Sequence, residues 1–87
     1  MASYELVFKK SVAKDLRRFP QADVRRIIEL IRALANDPRP PGCEKLSGFE
    51  RYRVRQGAYR IIYEIQDRRL IVLIVKIGHR RDVYRSR

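Results

Sequence analysis

A chain of 87 residues with one cysteine, Cys43, has no internal disulfide to brace it and must stand on packing alone. Long apolar runs are missing too. The longest, Leu70 to Val75, is six residues, far short of the ~20 that cross a bilayer as a helix. The start, Met-Ala-Ser-Tyr-Glu, lacks the basic-then-apolar layout of a secretory leader. There is no internal repeat, no low-complexity stretch and no interior linker long enough to divide a domain. Acid is scarce, with 10 Asp+Glu against 21 Lys+Arg. Together these absences exclude a disulfide framework, a membrane-spanning helix and a multidomain machine. They leave one expected domain over residues 1–87, soluble and cytoplasmic.

What is present is base. The net charge is +11, and sixteen of the cations are arginine, whose planar fork of donors matches phosphate oxygens where lysine offers a point charge. Such a domain attracts polyanions, nucleic acid first among them. The half from residue 44 onward carries net +7 against +4 for residues 1–43, so the site is sought there. The competing reading is a solvated basic face that aids solubility or meets an acidic partner. Hydrophobic residues make up 45% of the chain, as in a globular domain rather than a disordered tail.

The pattern along the chain reads β-α-α-β-β-β. Tyr4 to Phe8 is short and apolar-rich, a strand. Val12, Leu16 and Phe19 keep the i, i+4, i+7 spacing of one helical face over Lys9 to Phe19. Pro20 suits the first turn of a second helix. There Val24, Ile27, Ile28, Ile31, Leu34 and Ala35 recur every three to four residues, up to Asp37 before Pro38. Arg39-Pro40-Pro41-Gly42 is a stiff loop, and Lys45 follows it. Three strands are then expected over Arg51–Arg55, Tyr59–Ile65 and Leu70–Ile77, the last apolar enough to be covered on both faces. Short turns make these an antiparallel meander. The fold class expected is therefore α+β, with two helices packed on one face of a small antiparallel sheet.

Residues two apart in a strand share a face. Arg53 and Arg55 thus project together, and Arg60 points away from Tyr59, Ile61 and Tyr63. If the apolar set meets the helices, the three arginines lie on the uncovered side. His79-Arg80-Arg81-Asp82-Val83-Tyr84 leaves the last strand after Gly78. Arginines beside a histidine and a tyrosine suit a phosphodiester and a stacked base.

Several segments resemble a known family. They are Lys45-Leu46-Ser47-Gly48, Arg51-Tyr52-Arg53-Val54-Arg55, Gly57-Ala58-Tyr59-Arg60-Ile61-Ile62-Tyr63-Glu64 and Ile77-Gly78-His79-Arg80-Arg81-Asp82-Val83-Tyr84. They are similar to the RelE branch of the RelE/ParE toxin superfamily, and the resemblance covers nearly the whole chain. It implies a toxin of a type II toxin–antitoxin pair, bacterial or archaeal. RelE-like members cleave messenger RNA in the ribosomal A site, ParE-like members poison DNA gyrase, and each is silenced by an antitoxin. The resemblance therefore implies a RelB-like antitoxin partner, mRNA on the ribosome as substrate, and allows a toxin–antitoxin heterotetramer on operator DNA.

A ribonuclease that works without metal drives the 2′-hydroxyl onto the adjacent phosphate and expels the 5′-oxygen. It needs in-line geometry, charge stabilisation on the phosphorane and help with two protons. The resemblance assigns charge stabilisation to Arg60 and Arg80, and base stacking or orientation to Tyr84. Arg53 and Arg55 stand where relatives often carry lysines, and an arginine is a poor general base. His79 has a suitable ordinary pKa; equally, it is a turn histidine at a strand end. Lys45 and Arg81 are candidate phosphate contacts, although Arg81 is also placed to pair with Asp82. No metal or cofactor is expected. The alternatives are a ParE-like gyrase poison without ribonuclease activity and a non-catalytic basic module that binds nucleic acid.

Overall fold

The computed structural model describes residues 3–46 and 50–79. Strand β1 (Glu5–Phe8) leads into helices α1 (Lys10–Arg18) and α2 (Gln21–Asn36). Strands β2 (Glu44–Leu46), β3 (Arg51–Gln56), β4 (Tyr59–Gln66) and β5 (Ile71–His79) follow. The sheet order is β1-β5-β4-β3-β2.

The helices end where local chemistry stops them. Phe19 adopts an extended backbone before Pro20, whose ring disfavours helical geometry in the residue ahead of it. Pro20 itself is extended and lies just outside α2 rather than in its first turn. Asp37, ahead of Pro38, closes α2 as expected, its N–H donating to the Ala33 carbonyl over 3.0 Å. The apolar stripes then meet the sheet. Val12, Ile27, Ile31 and Leu34 are wholly buried against Ile61, Tyr63, Val72, Ile74 and Ile77. Truncating one of these isoleucines to alanine costs about 2–5 kcal/mol, a large share of the ~5–15 kcal/mol that holds a small domain folded. The Tyr63 hydroxyl, deep in this core, donates to the Pro38 carbonyl over 2.7 Å. No helix among the described residues is long and apolar enough to cross a membrane.

The meander of β3, β4 and β5 is antiparallel, and two features extend it. The sheet is mixed, because β1 pairs with β5 in parallel, Leu6 opposite Val72 and Phe8 opposite Ile74. The outer edge of β5 would otherwise leave a row of backbone groups unpaired. At the opposite edge β2, expected to be loop, pairs with β3 for the same reason. The apolar run of β5 reflects its place between two strands, not cover on both faces. Both helices lie on one side, so Ile71, Leu73 and Val75 are only half-buried.

A bulge interrupts β5. Tyr63 pairs with Ile74, but Ile62 pairs with Lys76, leaving Val75 as an extra residue. An extra residue resets the two-residue alternation. Lys76 therefore emerges to solvent while Ile77 turns into the core at 2% exposure.

Candidate anion-binding face

The register orders the open face into rows of side chains. Arg55 of β3 stands opposite Arg60 of β4, and Arg60 stands opposite Gly78 of β5, which adds no side chain. One pair further along, Glu44, Arg53, Ile62 and Lys76 form the next row. Beyond it come Leu46, Arg51, Glu64 and Leu73. Arg53, Arg55 and Arg60 thus share one face, as the alternation predicts.

Their partners differ. Arg53 donates to the Glu44 carboxylate through Nε, at 3.1 Å, and through Nη2. Arg51 faces Glu64 at 3.6 Å. Among the described residues neither Arg55 nor Arg60 enters an ion pair. Two adjacent guanidiniums repel one another, and an anion with oxygens spaced as in phosphate relieves that repulsion while accepting from both forks. The arrangement can hold a phosphodiester and stabilise charge that develops on it.

The other candidates fall elsewhere. Lys45 stands opposite Tyr52, on the helix side of the sheet, and its ammonium donates to Glu50 over 3.0 Å. It does not join the arginine rows. His79 stands opposite Tyr59, also on the helix side, because the bulge at Val75 shifts the end of β5 by one residue. Its ring meets the Tyr59 ring edge-on at 5.1 Å. The Tyr59 hydroxyl donates to Asp23 of α2 over 2.8 Å, and burial, with that carboxylate beside it, pushes the phenol up to about 12. Asp23, Arg26, Gln56, Tyr59 and His79 line a separate polar cleft of about 180 Å³. Arg80, Arg81 and Tyr84 lie outside the described residues.

A second arginine cluster closes the far end of the sheet. Arg39, in the loop after α2, donates to Asp67 over 2.9 and 3.4 Å, to Glu50 over 3.2 Å and to the Tyr52 hydroxyl over 3.0 Å. Its guanidinium carbon lies 5.2 Å from the Tyr52 ring centre. Tyr4 adds a bond to Asp67 over 2.7 Å. Donation from Arg39, then from Tyr4, holds the Asp67 carboxyl below its ordinary 3.8. Donation from Lys45, then from Arg39, does the same to Glu50. Glu44 was absent from the candidates because nothing in its local sequence marks it. Only the pairing of β2 with β3 brings it to Arg53.

Fold and face together define a small basic α+β domain with a row of arginines on the sheet surface away from the helices. Residues 6–84 match the profile of the ParE toxin of the type II toxin–antitoxin system, parDE. A Methanocaldococcus jannaschii protein carrying the name RelE1 toxin is 31% identical over 87 residues, 95% of this chain and 97% of that one. Toxin RelG of Mycobacterium tuberculosis is 29% identical over 94% of this chain and 97% of its own. The archaeal RelE–RelB complex from Pyrococcus horikoshii superposes with a TM-score of 0.82 at 32% identity, over 90% of this chain and 96% of that one. The chain belongs to the RelE/ParE superfamily of toxins of type II toxin–antitoxin pairs.

Proposed function

We propose that this toxin is a ribosome-dependent endoribonuclease that cleaves mRNA in the A site and so arrests translation. One observation carries the reading. Arg55 and Arg60 stand side by side on the open face, with no carboxylate in salt-bridge contact among the described residues. In this reading Arg60 grips the scissile phosphate and stabilises the phosphorane as the 2′-oxygen attacks and the 5′-oxygen leaves. Arg55 and Arg53 hold the flanking backbone. Arg80 and Tyr84 keep the roles that the resemblance gives them, charge stabilisation and base stacking or orientation, and Arg81 remains a candidate phosphate contact. His79 faces the opposite side of the sheet from Arg60, which weighs against it as proton acceptor. The acceptor is then supplied by the C-terminal residues or by the ribosome.

The same reading makes residues 1–87 one toxin domain acting in the cytoplasm with a cognate RelB-like antitoxin, as in the RelE–RelB complex from P. horikoshii. An antitoxin that covers the arginine face suffices to silence it.

Primer extension on total mRNA after brief induction in a bacterial host, beside Arg60→Ala, tests this. New 5′ ends inside translated codons, absent in the variant, are the expected result. The match to the ParE profile favours one other reading, a gyrase poison. Arrested growth with intact messages and trapped gyrase–DNA complexes would decide for it.

A further inference from the structure

We infer that Glu44 is a resident competitor for the phosphate site of the arginine face, a carboxylate that sets how tightly this face takes a phosphodiester. The inference rests on the proposed phosphate-binding role of that face and deepens it. Glu44 occupies the same side of the sheet as Arg53, Arg55 and Arg60, in register with the first of them. Arg53 spends both Nε and Nη2 on a single oxygen of Glu44, Oε1. These are the two donors that a guanidinium offers a phosphate in its bidentate grip. Arg55 and Arg60 also lower the Glu44 carboxyl from its ordinary range, after the larger effect of Arg53 itself, so its negative charge is felt across the whole row.

Position and exposure make the carboxylate displaceable. Its side chain is 57% exposed, and it rides on a three-residue strand that is the last of the sheet among the described residues. An exposed pair of this kind is weak and exchanges with solvent. An incoming phosphate must displace Glu44 from Arg53 before it gains that guanidinium. The displacement weakens binding at the face by the same factor for every phosphate ligand. RNA held by charge alone then falls below the affinity that fills the face at a given concentration, whereas a substrate held by other contacts still fills it.

The test is the affinity of the full-length toxin, freed of antitoxin, for a short fluorescent single-stranded RNA made uncleavable by 2′-O-methylation. It is read by anisotropy across a salt series. Glu44→Gln, which keeps shape and removes charge, should tighten binding about fivefold at low salt, the scale set by losing one exposed charge pair. Glu29→Gln makes the same change in net charge at an exposed position on α2 and should shift affinity by less than about twofold. In an Arg53→Ala background the gain from Glu44→Gln should shrink to less than about twofold. Equal gains from Glu44→Gln and Glu29→Gln, or an undiminished gain without Arg53, would overturn the competitor role. Arg60→Ala separates the two levels. If it weakens binding while Glu44→Gln does nothing, only this inference fails. If it binds like the wild type, the phosphate reading of the face fails with it.

Discussion

Arg39 and Arg60 are the same side chain in opposite surroundings. Arg39 meets two carboxylates, a tyrosine hydroxyl and a tyrosine ring, and so ties the loop after α2 to β3 and to the turn before β5. Arg60 stands between Arg55 and Gly78, and among the described residues neither of the two arginines enters an ion pair. With four hydrogen bonds drawn from its five N–H donors, Arg39 has little left for a ligand and contributes to the fold. A guanidinium with its donors unspent beside a like charge gains little for the fold and suits an anion. Net charge does not distinguish them; local neutralisation does.

The sharpest way to break this contrast is to remove Arg60. Arg60→Ala should lower cleavage of ribosome-bound mRNA about 100-fold or more, the loss typical of one charge-stabilising group, while leaving the thermal midpoint unchanged. Arg60→Lys keeps the charge and loses the fork, and about a tenfold loss is expected in the same assay. A lysine variant as active as the wild type would show that charge alone is used there.

Arg39→Ala should do the reverse. It leaves Asp67 to Tyr4 alone and Glu50 to Lys45 and Tyr52, and takes one hydrogen bond from Tyr52, so Tm should fall by about 5–10 °C in a domain of this size. RNA affinity measured on the folded variant should not change. If binding falls with stability, the far cluster belongs to the site after all.

Acid should act on the same cluster. The Asp67 and Glu50 carboxyls are both held below their ordinary range in the fold. Their contribution is present above the unfolded-state values of 3.8 and 4.5 and is lost as pH falls through the lower folded-state values. Thermal midpoints should therefore decline below about pH 4, less steeply in Arg39→Ala than in the wild type. Parallel curves would remove Arg39 as the cause.

The smallest effects are expected on the helix side of the sheet. Tyr59→Phe deletes one hydrogen bond to Asp23 and should cost about 1 kcal/mol in denaturant unfolding. Lys45→Ala should change RNA affinity by less than about twofold, since Lys45 faces away from the arginines and is already neutralised by Glu50. A large loss there would relocate the binding surface to the β2 edge.

Much was decided by the sequence alone, because the period of apolar residues is itself the burial pattern. The stripe Val12–Leu16–Phe19, the longer stripe from Val24 to Leu34, and the alternation through Tyr52, Val54, Ile61 and Tyr63 needed only helix and strand geometry to become two helices on a meander. That alternation also put Arg53, Arg55 and Arg60 on the far face. What the sequence could not decide were quantities set by pairing between distant segments. Leu70 to Val75 is apolar at every position, so it holds no alternation from which to read a face, and a single extra residue at Val75 sends Lys76 out, Ile77 in and His79 to the helix side. Glu44 and Lys45 are adjacent in the chain and face opposite sides of the sheet, and each meets its partner only once β2 has found β3. Local side-chain chemistry determines which elements form and which side they bury. Register, and with it the choice of which arginine meets a carboxylate across the strands and which meets another arginine, exists only when the strands come together.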